Sequence, residues 1–213
     1  MGKNWGVSTI RVAVFDIGGV LVDVDYRYLS RKLFDNEADA ERFLTEVLGD
    51  DFHHRRDLGA TWAELVPEWS ARHPDQAVAI KAFCERFPEI WAGPVPGSVE
   101  VLDELRGAGV PVYGLTNWGR ETFPMACDRF PFLDSFDGVL VSGEVGLAKP
   151  ESAIFTRFCE MFGVVPREAV FVDDVAENVA AAYEHGFEGV VFTTANDLRA
   201  NLIDLGLPLA ATR

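Results

Sequence analysis

The chain has 213 residues, 48% of them hydrophobic and 25% charged, a balance typical of a globular protein with a sizeable core. Its formal net charge of -15 disfavours nucleic acids and anionic membrane surfaces as partners. The three cysteines (Cys84, Cys127 and Cys159) lack CxxC spacing, which argues against a disulfide framework or a zinc site. No apolar run approaches the roughly 20 residues of a membrane span, and residues 1–10 lack the apolar core of a signal peptide. A cytoplasmic protein is therefore expected.

The first predicted strand covers residues 11–15 and runs directly into Asp16, which is followed by Gly18 and Gly19. The apolar residues predict a short buried strand that stops at a carboxylate. The glycines predict a tight turn that brings the backbone close to a ligand. Residues 20–24 are expected to form an extended flap after this turn.

Residues 25–92 contain no β-rich run, and helical patterns dominate. Helices are predicted over residues 36–48 and 75–87, and the capping-box sequence Thr61-Trp62-Ala63-Glu64 predicts the start of another. Pro67 is expected to kink or interrupt that helix. The segment is therefore predicted to form a small helical subdomain.

After a linker at residues 92–97, strand and helix patterns alternate. The predicted strands cover residues 111–115, 138–141, 169–172 and 189–192. The predicted helices cover residues 99–106 with Ser98 as N-cap, 150–162 with Pro150 in the first helical position, and 178–185. This alternation implies right-handed βαβ units and a parallel sheet. We therefore predict an α/β protein with a doubly wound, five-stranded parallel sheet in residues 1–24 and 93–213, and a helical insertion in residues 25–92.

Polar side chains that could carry out chemistry are concentrated where the predicted strands end. They are Asp16, Thr116, Asn117, Asp173 and Asp174, with Lys149 just before a predicted helix. In a doubly wound sheet these ends meet at one crevice. Carboxylates crowded into a crevice repel each other unless a cation joins them, and oxygen ligands favour Mg²⁺. A carboxylate beside a metal-bound phosphate can attack phosphorus, while a hydroxyl, an amide and an ammonium hold the phosphoryl oxygens.

At four points the chain resembles the haloacid dehalogenase-like hydrolase superfamily. The motifs are Phe15-Asp16-Ile17-Gly18-Gly19-Val20-Leu21, Leu115-Thr116-Asn117, Leu147-Ala148-Lys149-Pro150, and Phe171-Val172-Asp173-Asp174 with Glu177-Asn178. They occur in the family's order, each at the expected end of an element, and the helical insertion resembles the family's helical cap. The chain is most similar to the branch that holds the alpha-glucose-1-phosphate phosphatases and the phosphatase domain of soluble epoxide hydrolase.

The resemblance implies a magnesium-dependent phosphatase that acts on a small phosphorylated metabolite through an aspartyl-phosphate intermediate. The implied catalytic residues are Asp16 as nucleophile and Lys149, which neutralises the nucleophile and the phosphate. The implied metal ligands are Asp16, the backbone carbonyl of Gly18, Asp173 and Asp174. The implied substrate contacts are Thr116, Asn117 and Lys149. A monomer or small homo-oligomer is expected.

One position departs from the family pattern. Most phosphatases of this superfamily carry a second aspartate two positions after the nucleophile, as general acid and base, and here that position is Gly18. The metal role needs only the carbonyl, but the proton role, typically worth about 10²–10⁴-fold, is lost. The basic run His53-His54-Arg55-Arg56 in the helical insertion either faces the crevice, where it binds the body of the substrate or supplies the proton, or forms a solvated helix end, which is the favoured interpretation. Trp118 either lines the substrate pocket or belongs to the core.

Two alternatives to a phosphatase stay open at the level of sequence. A 2-haloacid dehalogenase would use the same nucleophile, and halide departure needs no acid, which suits Gly18. Such an enzyme needs no magnesium, however, which leaves Asp173 and Asp174 without a purpose. A catalytically degenerate binding module is the other alternative, and the intact set of Asp16, Lys149 and Asp174 argues against it.

Overall fold

The computed structural model describes residues 9–210 of the chain. Its strands are β1 (Val12–Phe15), β2 (Val22–Val24), β3 (Trp91–Pro94), β4 (Val112–Thr116), β5 (Gly138–Val141), β6 (Ala169–Asp173) and β7 (Glu188–Val191). Five of them form one parallel sheet in the order β5-β4-β1-β6-β7, and β2 pairs with β3 in a separate antiparallel ribbon. The expectation about an N-terminal targeting segment falls mainly on residues 1–8, which lie outside the described residues.

The helices occupy the segments between and after these strands. They are α1 (Arg27–Leu33), α2 (Glu37–Arg42), α3 (Gly49–Asp57), α4 (Trp62–Arg72), α5 (Ala77–Glu85), α6 (Ser98–Gly107), α7 (Phe123–Arg129), α8 (Ser142–Val145), α9 (Ser152–Phe162), α10 (Ala176–Glu184) and α11 (Ala195–Asp204). Short 3-10 turns cover Pro74–Gln76, Phe87–Ile90, Pro131–Ser135 and Pro166–Glu168, and Phe43–Leu48 is a π-helical turn. Across the described range, no helix has both the length and the apolarity that a bilayer crossing demands.

The central sheet is covered by helices on both faces, because successive side chains of a strand point in opposite directions. Phe15 packs into one buried cluster with Leu102 of α6 and Leu198 of α11. Its neighbour Val14 packs into a second cluster with Phe155 of α9. The predicted doubly wound α/β architecture, with an inserted helical segment, is confirmed.

The inserted helices α1 to α5 lie between β2 and β3 in the chain. Their aromatic residues Phe52 and Phe83 belong to a third buried cluster, which also contains Trp91 of β3 and Trp118 after β4. This cluster packs the insertion against the end of the sheet at which the strands finish. We propose that the two-stranded ribbon of β2 and β3 is the connection between a core domain, residues 1–24 and 93–213, and a cap, residues 25–92.

Several local predictions differ from the structure. Pro67 lies inside α4 without interrupting it, so the predicted interruption is wrong. Leu65 and Trp69 are buried on either side of Pro67, and the Trp69 indole N–H donates to the Leu48 carbonyl oxygen at 3.2 Å. This packing holds the helix together despite the missing proline N–H.

Two helix starts were also misplaced. The N-cap of α6 is Gly97, whose φ of 82° suits glycine, and Ser98 is the first helical residue instead of the cap. Helix α9 begins at Ser152, so Pro150 precedes the helix. The backbone of Lys149, just before Pro150, is hydrogen-bonded to the side chain of Asn117, which follows β4. Helix α9 begins only after that contact.

Candidate active site

The strand ends bring three acidic residues together, as the sequence predicts. Asp16 directly follows β1, Asp173 is the last residue of β6, and Asp174 comes next. Because β1 and β6 are adjacent in the sheet, oxygen atoms of the three carboxylates lie within 4.8 Å of one another. Asp173 is fully buried, Asp16 is 8% exposed, and Asp174 reaches solvent.

A buried lysine lies between two of these carboxylates. The Nζ atom of Lys149 lies 2.7 Å from Oδ2 of Asp173 and 3.0 Å from Oδ1 of Asp16. The side chain of Lys149 is fully buried. Such a charge is tolerated only when it is paired, so the lysine and the two carboxylates depend on one another.

The electrostatics of the site leave an excess of negative charge. Burial raises the pKa of Asp16 to about 7, the Lys149 charge opposes this rise, and Asp173 adds to it. Burial also raises the pKa of Asp174, and the neighbouring Asp173 contributes. Burial lowers the pKa of Lys149, but the two carboxylates outweigh it and hold the lysine protonated. Three carboxylates with one ammonium would be balanced by a divalent cation.

The donor set fits magnesium. It consists of hard carboxylate oxygens at the edge of a cavity, which is the kind of site that binds Mg²⁺ together with waters and a phosphate. Asp16 and Asp174 both line the cavity, whereas Asp173 lies behind them. Asp173 already accepts hydrogen bonds from Lys149, from the Val175 backbone N–H at 2.8 Å and from Asn178 Nδ2 at 3.0 Å. Asp173 therefore orients Lys149 in addition to adding charge.

The polar residues after β4 have different surroundings. Thr116 lines the cavity, and its hydroxyl is buried without a partner among the described residues, so it is available to a bound group. Asn117 also lines the cavity, but Nδ2 donates to the Lys149 carbonyl at 2.9 Å and Oδ1 accepts from the Lys149 N–H at 2.8 Å. Asn117 thus clamps the backbone of the lysine, a role that sequence reasoning missed.

The turn after Asp16 is shaped around Asp174. Gly19 has a φ of +75°, and a Cβ atom added there would lie 2.5 Å from Oδ2 of Asp174. Gly18 has no such restriction: a Cβ there would meet only Val24 and Trp118, at 3.7 and 3.8 Å. The missing acid at Gly18 is therefore not imposed by lack of space for a Cβ atom.

The acidic cluster opens into a cavity of about 370 Å³ between the sheet and the inserted helices. The apolar wall of the cavity is mostly aromatic and includes Val24, Tyr26, Phe87, Ile90, Trp91 and Trp118. Trp118 is 5% exposed, belongs to the buried aromatic cluster and also lines the cavity, so both alternatives given for it are correct. The cavity has more room than an orthophosphate requires, so it can hold the organic part of a substrate.

The basic run on α3 contributes a residue to this cavity, but neither histidine. His53 stacks on Tyr26 with ring centroids 4.2 Å apart, and burial together with the Arg56 charge lowers its pKa to about 3. His54 is exposed. Arg56 is 6% exposed and lines the cavity. It lies four residues after the buried Phe52, and this helical spacing was the available sign that Arg56 faces inward.

Comparison with known proteins identifies the family. A family model for haloacid dehalogenase-like hydrolases matches residues 10–186, most of the chain. The chain belongs to the haloacid dehalogenase-like hydrolases. This family assignment confirms the resemblance carried by the four motifs.

Individual haloacid dehalogenase-like proteins show the range of chemistry in the family. A sesquiterpene phosphatase from Aspergillus oryzae is 28% identical over 193 residues, covering 87% of this chain and 91% of the relative. An (S)-2-haloacid dehalogenase from Burkholderia cepacia is 24% identical over 201 residues, covering 86% and 83%. A solved haloacid dehalogenase-like enzyme from Bacteroides thetaiotaomicron, in complex with magnesium and inorganic phosphate, superposes with a TM-score of 0.69 at 25% identity, covering 87% and 95%.

Replacing the buried lysine tests the charge balance. Lys149→Met should lower the free energy of unfolding by about 3–5 kcal/mol in EDTA, because it leaves buried carboxylates without their cation. Urea unfolding at about pH 8 and about pH 5 measures this loss. Without the lysine the pKa of Asp16 rises further, so the loss should shrink as pH falls and the carboxyl protonates.

The matched control is Lys81→Met, an exposed lysine 3.7 Å from Glu85, which should change stability by less than about 1 kcal/mol at either pH. Equal effects of the two substitutions would contradict the assigned role of the Lys149 charge.

Gly19→Ala tests the packing of the turn against Asp174. The substitution should displace the Asp174 carboxylate as well as strain the backbone, so the rise in melting temperature on adding Mg²⁺ should be lost. Gly49→Ala is the control, since Gly49 has a φ of +63° and nothing within 4 Å of the added Cβ. It should cost about 1–3 kcal/mol of stability, since its ψ of 178° lies in a region that other residues rarely adopt, but keep the response to Mg²⁺. An unchanged Mg²⁺ response in Gly19→Ala would refute the argument.

Proposed function

We propose that the protein is a magnesium-dependent phosphatase of small phosphorylated metabolites. The observation that carries the proposal is the cluster of Asp16, Asp173 and Asp174 around Lys149 at the edge of a cavity. The sesquiterpene phosphatase, which aligns over most of both chains, supports it. The structural relative in complex with magnesium and inorganic phosphate supports the same chemistry.

Asp16 is proposed as the nucleophile. Its free carboxylate oxygen attacks phosphorus in line with the bond to the leaving oxygen. That bond breaks, and the leaving oxygen keeps the electron pair. The departing oxygen takes up a proton, and the phosphoryl group remains on Asp16 as an acyl phosphate. Water then attacks phosphorus, the bond to Asp16 breaks, and phosphate leaves with the carboxylate restored.

Other residues hold the phosphoryl group during both steps. The ammonium of Lys149 lies 3.0 Å from Asp16 and can neutralise the oxygens of a phosphate bound there. The unpartnered hydroxyl of Thr116 can donate to the same group. Asn117 fixes the backbone of Lys149, and Asp173 fixes its ammonium, so the charge is already in place before substrate arrives.

Asp16, Asp174 and the carbonyl of Gly18 are the proposed direct ligands of Mg²⁺, with Asp173 behind them. When bound, the ion lowers the repulsion between the phosphate and the nucleophile and stabilises charge on the phosphoryl oxygens. Burial raises the pKa of Asp16 to about 7, and a neighbouring divalent cation would keep this carboxyl ionised for attack at neutral pH.

The proton for the leaving group has no evident carboxylic acid donor. Gly18 occupies the usual position of the acid, and neither His53 nor His54 lines the cavity. His53 is moreover neutral, because its pKa is lowered to about 3. The departing oxygen must therefore leave nearly unprotonated or take a proton from water, which favours phosphates with good leaving groups.

A 2-haloacid dehalogenase is the second candidate function. The relative from Burkholderia cepacia and the absence of an acid at Gly18 both favour it. The solvent-accessible Asp174, whose carboxylate adds to the excess of negative charge beside Asp16, favours the phosphatase. Halide release has no need of a cation at that position.

Removal of metal and of the nucleophile tests the proposed function. Hydrolysis of 4-nitrophenyl phosphate should require Mg²⁺, stop in EDTA, and be absent in Asp16→Asn, because the amide keeps the shape and loses the attacking oxygen. Circular dichroism should show that Asp16→Asn remains folded. Full activity in EDTA, or faster release of halide from 2-chloropropionate, would overturn the phosphatase proposal.

The Gly18 position tests the proposed shortage of acid. Gly18→Asp should raise turnover of alkyl phosphates more than that of aryl phosphates, because poor leaving groups gain most from a proton donor.

The wild-type enzyme, mixed rapidly with an aryl phosphate, should release one equivalent of the phenol in a burst followed by slower turnover, because water attack on the aspartyl phosphate also lacks its base. Wild-type enzyme that hydrolyses alkyl and aryl phosphates equally fast would contradict this account.

A further inference from the structure

Arg56 is a second buried cation at the cavity that Lys149 also lines. It comes from α3 of the inserted helices, yet it lines the same cavity as Asp16. Its guanidinium carbon lies 4.9 Å above the ring centroid of Phe87, and its aliphatic stem lies against Gly119. Packing on both sides fixes the direction in which the guanidinium points.

Only part of the guanidinium is occupied by protein acceptors. Nε and Nη2 donate to one oxygen of Asp57, at 3.2 and 2.8 Å. Nη2 also donates to the Tyr26 hydroxyl at 3.1 Å. The remaining nitrogen, Nη1, is buried and has no partner among the described residues.

A buried, charged donor without a protein acceptor is costly, and beside a cavity such an atom takes its acceptor from water or from a bound group that displaces the water. The indole Nε1 atoms of Trp91 and Trp118 are likewise buried without partners, and both residues line the cavity. The rest of this wall is apolar, so these donors stand out against a surface that suits hydrocarbon or an aromatic ring.

We propose that Arg56 binds an anionic oxygen group, a carboxylate or a second phosphate, on the leaving group of the substrate. The organic part between this anion and the reacting phosphate lies against the aromatic wall. The proposal rests on the phosphatase function and specifies its substrate class as phosphomonoesters with an apolar body and a second anionic group. Arg56 is thereby a specificity-determining residue, because a substrate without the second anion leaves Nη1 unpaired.

The probes are phenyl phosphates that differ only in the substituent on the far side of the ring. The 3- and 4-(carboxymethyl)phenyl phosphates and the bisphosphates of 3- and 4-hydroxymethylphenol carry the anion, and 3- and 4-methylphenyl phosphate are the uncharged counterparts. In all of them the reacting oxygen is a phenoxide of similar basicity, a better leaving group than an alkoxide, so chemistry at phosphorus is nearly constant. The measurement is kcat/KM with Mg²⁺ for each ester.

Wild-type enzyme should prefer at least one anionic ester over its methyl counterpart by about tenfold or more, mainly through KM, as expected for a hydrogen bond to a charged group. A preference for the carboxylates, the bisphosphates or both identifies which anion is read. The preference should fall to about one in Arg56→Met. Arg56→Lys should restore it only in part, since a lysine lacks the planar fork of donors.

Arg55→Met is the matched control, because Arg55 pairs with Glu68 on the outside of the same helix and does not line the cavity. It should keep the wild-type preference. If Arg56→Met fails to fold, Gly119→Ala serves instead, since its Cβ would lie 2.9 Å from Cγ of Arg56 and displace the side chain. It too should lower the preference.

Equal rates on anionic and methyl esters in the wild type, or a preference that survives Arg56→Met, would overturn the assignment of Arg56 while leaving the phosphatase function intact. Wild-type enzyme that hydrolyses none of these esters or 4-nitrophenyl phosphate, with or without Mg²⁺, would overturn the phosphatase proposal itself, and this inference with it.

Discussion

The structure depends on one buried ammonium between two carboxylates. Lys149 contacts Asp16 and Asp173 at 3.0 and 2.7 Å, in a part of the protein from which water is almost excluded. These three residues come from separate segments of the chain, so the contact exists only when the sheet has brought those segments together. The third carboxylate, Asp174, leaves the group short of positive charge. That shortage is the physical reason to expect a divalent cation and an attacking carboxylate at one place.

The helical insertion contributes apolar, aromatic side chains to the cavity that contains this charge cluster. Aromatic residues from the insertion and from the strand ends form one packed cluster, so the cavity has a charged floor and an apolar wall. We propose that chemistry and substrate choice are divided between these two surfaces of the cavity. In this proposal the charged floor acts on the phosphate, whereas the wall, with Arg56 beside it, selects the organic part of the substrate. An insertion can therefore change the preferred substrate without disturbing the buried lysine.

The sheet and the acidic cluster could be predicted because both follow from local pattern. A run such as Val12 to Phe15 that ends in a carboxylate marks a buried strand and the position of its side chain in the crevice. The clamp of Asn117 on Lys149 could not be predicted, since it joins residues 32 positions apart through side-chain geometry. Pro67 does not interrupt its helix as predicted, because tertiary packing outweighs the local cost of proline. Arg56 was hidden in a basic run, where charge suggested solvent, and only the spacing from Phe52 pointed inward.

The central claim is that Asp16 carries the phosphoryl group, and it can be tested by trapping that intermediate. Enzyme mixed with 4-nitrophenyl phosphate and Mg²⁺ would be quenched during the first turnover and treated with borohydride, which reduces an acyl phosphate to an alcohol. Mass spectrometry of the peptide containing Asp16 should then show a homoserine side chain at that position, and none when Mg²⁺ is omitted. Phosphate release at the full rate, with Asp16 unmodified at every quench time, would contradict the account.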